Sequence, residues 1–296
     1  MAGSRTRHVG TDYVIRIAWG LAALHALALL LGLFGLLVAI PHPELWAGRP
    51  ADMAFFNFAI NKTGGAGMVL GAIAMLAFGF AALGARRTLI FFVAACAISA
   101  TAELTGTKTG WPFGGYEYTD FLGYKLLGRV PFPIPLSWFY MGFASLLLAD
   151  AIAAARGWNN RMVWSIELGA YLLTAWDLVL DPSMAAPQLQ YIHFWTWHEH
   201  GPYFGMPLRN LAGWFGTGLL FIAVGRVLWR ERVTPAFSAL LPFAIYAVNV
   251  AWSMVLSVSA GMWPTAVAAI VFSLAPAALA VLPRSEPRSE RFAKAS

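Results

Sequence analysis

The chain is 296 residues long, 59% of them hydrophobic and 11% charged, with a formal net charge of +6 and one cysteine. Soluble domains carry about 25% charged residues, so the composition excludes an ordinary soluble enzyme. Repeated apolar runs near the ~20 residues needed to cross a bilayer core point instead to one helical membrane bundle. The lone Cys96 excludes a disulfide framework, a thiolate cluster and a CxxC redox pair, and reads as a small packed residue.

Eight apolar segments are expected as helices, over about 13–39, 64–83, 87–104, 134–155, 162–180, 208–228, 235–257 and 262–282. The first follows Arg5 and Arg7 as a signal peptide would, but its apolar run exceeds the roughly 7–15 residues of a signal core, so it is kept as a helix. In the second, Gly67 and Gly71 suit a close helix contact. The expected architecture is all-α: a polytopic bundle forming a single domain over 1–283, followed by a polar, Pro-broken and disordered tail over 284–296.

Basic residues sort by side. Fourteen lie at the N-terminus through Arg16, in the loops with Arg86, Arg87, Arg156 and Arg161, around Arg226, Arg230 and Arg232, and in the tail. The alternate loops hold six: Arg49, Lys62, Lys108, Lys125, Arg129 and Arg209. The positive-inside rule then puts both termini in the cytoplasm, and the loops 105–133 and 181–207 together on the opposite face of the inner membrane. Topology and anionic lipid headgroups account for the positive charge without nucleic acid.

Those two loops share a grammar. Each runs from a carboxylate through aromatics and Gly to Pro-Leu and Trp-Phe, as in "IPLSWF" and "MPLRNLAGWF", and the windows 111–124 and 191–204 hold six aromatic rings apiece. This suggests that helices 3–4 and 5–6 are two related hairpins whose loops face each other across the mouth of the bundle. An interfacial aromatic belt would also enrich Trp and Tyr, but a belt is spread over all helix ends, whereas the other loops are poor in rings. Aromatics gathered with Gly and Pro read as a shaped lid over a cavity.

An ionisable group inside a span costs roughly 2.5–3.5 kcal/mol on insertion scales, so each asks for a reason. Asp150 and Glu167 are expected as helix-end charges beside Arg156 and Arg161, and His25 and Asn249 as hydrogen-bonders between helices. Glu103, Asp177 and Asp181 differ, because all three approach the outer ends of helices 3 and 5 where the aromatic loops begin. Asp177 and Asp181 are four apart, on one helix face if the helix continues, and their repulsion in a poorly hydrated mouth would keep a proton on at least one. The plainer alternative is a helix capped by Asp181 before Pro182.

His193, His198 and His200 with Glu199 invite a metal reading. They lack the i,i+4 spacing of a zincin motif, and the expectation is a wet hydrogen-bonding loop without metal. No GxGxxG follows a strand, and neither "GTKTG" nor "NKTGGAG" ends as a phosphate loop does.

The run Glu103, Gly106, Thr109, Gly110, Phe113, Gly114, Tyr116, Tyr118, Gly123 and "IPLSW", with Asp181-Pro182, Trp195-x-Trp197, Gly201, Tyr203, Gly205, Pro207-Leu208, Asn210 and Gly213-Trp214, resembles the integral-membrane carotenoid 1,2-hydratase family. His198, Glu199 and His200 fall outside that pattern. The resemblance implies addition of water across the terminal C1–C2 double bond of an acyclic carotenoid end, of lycopene, γ-carotene or bisanhydrobacterioruberin type, without a cofactor. Such chemistry needs a loaded acid, π faces to shelter a tertiary cation, and a placed water. Asp181 with Asp177 is expected to hold the proton, and Glu103 and Asn210 to orient water. Trp111, Tyr116, Tyr118, Trp195 and Trp197 would form the cation box, with Phe113, Trp138, Tyr203 and Trp214 as further substrate-binding residues. The implied partners are a polyene entering sideways from the lipid, water from the loop face, and other enzymes of carotenoid synthesis. Rival readings are a metal-dependent membrane hydrolase using His193, His198, His200 and Asp181, a transporter built on the two hairpins, and a passive carotenoid-binding protein.

Overall fold

The computed structural model describes residues 2–188, 193–229 and 237–282; the tail expected over 284–296 lies outside them. Among the described residues seven helices are long and apolar enough to cross a membrane: Thr11–Ala39, Gly64–Ala82, Ala85–Thr109, Pro133–Ala155, Arg161–Met184, Leu208–Leu228 and Leu240–Ser259. The chain is therefore an all-α, multi-pass bundle. The eighth expected segment is also an apolar helix, Trp263–Ala278, but a shorter one. Gly261, at φ +76°, and Pro264 set its start, and the chain breaks into turns after Ala278.

The helices are α1 (Ala2–Phe34, continued by one π turn), α2 (Pro50–Ala82), α3 (Ala85–Thr109), α4 (Pro133–Ala155), α5 (Arg161–Met184), α6 (Leu208–Leu228), α7 (Leu240–Ser259), α8 (Trp263–Ala269) and, after a π turn, α9 (Ala275–Ala278). Helix α2 begins well before residue 64, because Pro50 opens it at a first-turn position that needs no N–H. Helix α4 is the buried centre, its first turn carrying Pro133 and Pro135 for the same reason.

At α5 the plainer alternative is the one that fails, because the helix does not stop at Pro182 but runs on to Met184. A proline at 182 deprives the Leu178 carbonyl of its i+4 donor. The Tyr203 hydroxyl, reaching over from the second loop, donates to that carbonyl at 2.9 Å. Asp177 and Asp181 consequently sit on one unbroken helix face.

Helix α3 packs on α6 and α4 on α5, and the loops that follow α3 and α5 are stitched together. Strand β1 (Tyr116–Tyr118) pairs antiparallel with β4 (Trp195–Trp197), so that Tyr116 faces Trp197 and Tyr118 faces Trp195; β2 (Lys125–Leu126) and β3 (Val130–Pro131) form a smaller hairpin. The expected meeting of the two loops across one end of the bundle is thus a two-stranded ribbon. Alternation along it turns Tyr116, Tyr118 and Trp195 inward and leaves Glu117 and Thr196 exposed.

At the opposite end of the bundle Asp150 is not a solvated end charge beside Arg156 and Arg161. It is buried against Arg226 of α6, Nη2 to Oδ1 at 3.2 Å, and that guanidinium lies over the Trp229 ring. Glu167 is exposed. His25 and Asn249 do join helices: His25 Nδ1 contacts the Gly67 carbonyl at 2.7 Å, its Nε2 meets Asn249 Nδ2 at 2.9 Å, and Tyr140 donates to Asn249 Oδ1 at 2.9 Å. Gly71 lets α2 lie against His25 and Tyr140, where an added Cβ would stand 3.1 Å from the imidazole.

Candidate active site

The carboxyl groups of Glu103, Asp177 and Asp181 all turn into the bundle, at 4%, 0% and 4% exposure. They form two unlike centres. On α3, Glu103 accepts three hydrogen bonds: the Tyr116 hydroxyl and, at 3.0 Å, the Tyr118 hydroxyl on Oε2, and the Trp138 indole N–H at 2.8 Å on Oε1. Every one of these donors belongs to an aromatic ring, two from the ribbon and one from the start of α4.

On α5, Asp177 and Asp181 share one donor. The Asn210 amide nitrogen, in the first turn of α6, donates to Asp177 Oδ2 at 2.8 Å and to Asp181 Oδ2 at 2.5 Å, and also touches the Met206 sulfur at 3.1 Å. Asp177 Oδ1 is buried without a hydrogen-bond partner. No Lys or Arg forms an ion pair with any of the three carboxyls among the described residues. Two carboxyl groups joined by one neutral amide are a place to keep a proton, since both cannot be anions at that separation without a compensating charge.

A cavity of about 30 Å³ lies between the two centres, walled by Glu103, Asp181, Asn210, Ser137 and the rings of Phe113, Tyr116, Tyr118, Trp138, Trp195, Trp197 and Trp214. That volume exceeds the roughly 10–15 Å³ that a water molecule requires. The rings are mutually braced: Trp138 stacks on Trp214 at 4.1 Å, Tyr116 leans on Trp197 at 5.4 Å, and Tyr118 meets Trp195 edge-on at 5.7 Å. Burial, with the Glu103 charge second, raises the Tyr116 and Tyr118 hydroxyls well above their ordinary range, so they act as neutral donors.

Against this small polar chamber lies a large apolar one of about 560 Å³. Ile134, Ser137, Leu180 and Trp195 wall both, forming a neck between them. The large cavity is bounded by α1 and α2 with α4, α5 and α7, and its rim carries exposed Leu31, Phe34, Phe55 and Phe58. A hydrocarbon chain can therefore reach the neck from the lipid side.

Twelve of the thirteen expected site residues stand at or against this assembly. Trp111 does not: it is 71% exposed beyond the end of α3 and contributes no wall. Tyr203 lies behind Asp177 rather than in the chamber, holding the Leu178 carbonyl, and burial followed by the Asp177 charge pushes its hydroxyl up to about 12. The ligand set of the hydrolase reading is not assembled. Glu199 is engaged by Arg209, His200 contacts the Gly201 carbonyl, and no three His, Cys, Asp or Glu side chains among the described residues group as metal ligands. Sequence reasoning gave no role to Ile134 and Ser137, although both lie in the "IPLSW" motif, and it missed Leu180 and the whole α1–α2 wall, because apolar residues on apolar helices carry no distinguishing signal.

A family model described as "Carotenoid biosynthesis protein" matches residues 63–276. The chain belongs to that family. It is also 35% identical over 133 residues to the bisanhydrobacterioruberin hydratase of Haloarcula japonica, a match covering 45% of this chain and 43% of that relative. The chain thus aligns with less than half of that relative's length. No solved structure matches.

Proposed function

We propose that this member of the carotenoid biosynthesis family is a hydratase that adds water across the terminal C1–C2 double bond of an acyclic carotenoid end group, of lycopene, γ-carotene or bisanhydrobacterioruberin type. The observation that carries the reading is the junction of a greasy cavity with a small chamber that holds buried carboxyls and, among the described residues, no cation. A polyene end passes the neck between Ile134 and Leu180 and presents its alkene to Asp181. The Asp181 hydroxyl proton bonds to C2, the alkene π pair forms that C–H bond, and the positive charge is left on tertiary C1. Water adds its oxygen to C1 and returns a proton to the aspartate pair, so one water is consumed and the acid is restored. No electrons are exchanged, and the reaction calls for no redox cofactor.

Asn210 donates to Asp181 Oδ2 at 2.5 Å, the bond needed to stabilise the carboxylate left after proton transfer. The aromatic walls face the developing cation, whose attraction to ring faces is worth about 0.5–2 kcal/mol per contact. Topology completes the proposal: a single bundle in the inner membrane, both termini cytoplasmic, with the ribbon and chamber at the outer end. The test is expression in a lycopene-producing host, with pigments separated and weighed by mass spectrometry. A product heavier by one water, whose oxygen derives from labelled water, is expected; label from molecular oxygen, or no new pigment, would sink the reading.

A further inference from the structure

The hydrogen bonds at Glu103 carry the mechanism a step beyond water placement. Its two oxygens are taken by three donors, the Tyr116 and Tyr118 hydroxyls and the Trp138 indole, which can only donate. Three donors on two oxygens are what an ionised, acceptor-only carboxylate attracts, and they hold the group in place by its aromatic neighbours. The Asn210 amide nitrogen, for its part, is engaged by the aspartates. What Glu103 can still deliver is charge. It does so through rings that wall the chamber: each donor hydrogen-bonded to the anion gains electron density in its own π system, and Trp138 is stacked on Trp214. The aromatic walls are thereby electron-rich as a set, with a buried anion behind them and no Lys or Arg paired to it among the described residues.

We infer that Glu103, Tyr116, Tyr118 and Trp138 form a cation-binding cage, in which Glu103 is a fixed counter-anion, and that the cage takes an apolar chain ending in a compact, permanently charged onium group. The inference rests on the hydratase reading for its biological sense, but its ligand chemistry is independent of turnover. A positive centre confined among electron-rich rings near a buried anion is held far more strongly than at an exposed site, because little water screens the pair.

The experiment measures binding to the purified full chain in lipid nanodiscs of two probes: a prenyl chain ending in trimethylammonium, and the same chain ending in tert-butyl, its neutral isostere. Competition by each against a fluorescent polyene gives the affinities. Wild-type protein is expected to prefer the ammonium by about tenfold or more. In Glu103→Gln, which keeps the size of the side chain, the preference should collapse towards unity while tert-butyl affinity holds. No preference in the wild type overturns the cage without recourse to any variant. Preference retained in Glu103→Gln but lost in Asp181→Asn also overturns it, by assigning the charge to the aspartates. A protein that shows the Glu103-dependent preference yet yields no hydrated pigment would keep the cage and lose the hydratase reading, so the two failures are told apart.

Discussion

Two buried acidic regions stand at opposite ends of the same helices, and they are built on different principles. At the Arg-rich end, Asp150 has a full counter-charge in Arg226, 3.2 Å away, with Trp229 covering the guanidinium. At the ribbon end three carboxyls are buried with neutral donors instead. A paired charge ties two helices together, and α4 and α6 meet there. Carboxyls left without a cation in a protein interior cost stability, and such an arrangement persists where the uncompensated groups are put to use. On the proposed reading the contrast separates a structural acid from reactive ones within one molecule, and it can be broken by experiment.

The largest effect should come from Asp181→Asn. The amide keeps the shape and can still contact Asn210, but it has no acidic proton. If the proposed hydratase reading holds, hydration of lycopene in cells is expected to fall by about 10²–10⁴-fold, the usual contribution of a positioned acid, with membrane insertion and melting little altered. Wild-type conversion in a normally inserted variant would remove Asp181 from the mechanism.

Asp150→Asn tests the other end with the opposite signature. Arg226 would be left buried without its partner, and breaking such a pair costs about 3–5 kcal/mol. Thermal unfolding in detergent should shift sharply downward, while turnover per folded molecule stays near wild type. Replacing both partners, Asp150→Leu with Arg226→Met, should recover much of the stability, because the desolvation cost goes with the charges. If Asp150→Asn lost turnover without losing stability, the division between the two ends would be wrong.

Much of this arrangement was legible in the sequence. Hydropathy marked eight segments as spans; among the described residues seven are long enough and the eighth is a shorter helix, with most bounds close to those expected because crossing a bilayer imposes a length that composition reveals. The matched rings in the windows 111–124 and 191–204 foretold that the loops meet, and the ribbon places four of those rings, Tyr116, Tyr118, Trp195 and Trp197, in cross-strand pairs. What stayed hidden has a physical cause in each case. Asp150 had two arginines close in sequence and chose one 76 positions away, because helix packing, not sequence distance, sets partners in a bundle. Pro182 looked like a stop, and only the Tyr203 hydroxyl on the Leu178 carbonyl explains why the helix passes through it. The large cavity is an absence of side chains between helices, which no residue type announces.

A middling effect is expected at the ring donors. Tyr118→Phe removes one of three hydrogen bonds to Glu103 and keeps the ring that meets Trp195. A hydrogen bond to a charged group is worth about 1.5–3 kcal/mol, and with two donors remaining the loss in hydration rate should be roughly tenfold. Tyr116→Phe should behave alike, and the double variant should lose more than the product of the two, because the anion would then be held by Trp138 alone among these donors. Additive losses would show that the phenols act separately, not through a shared carboxylate.

The smallest effect sharpens the boundary of the site. Trp111 shares the loop, the ring chemistry and the sequence neighbourhood of Tyr116 and Tyr118, yet it is 71% exposed while they are buried. The turn after Gly110, which sits at φ +78°, sends the backbone back under the bundle, so Phe113 packs inward beside Trp138 and Trp111 is left outside. Trp111→Ala should therefore change lycopene hydration by less than about twofold, within the range of surface substitutions. Trp138→Ala, by contrast, would remove a wall of the chamber and a Glu103 donor together. A large loss at Trp111 with a small one at Trp138 would mean that the reacting end of the polyene is held outside the ribbon, and the chamber beneath it would lose its claim to the chemistry.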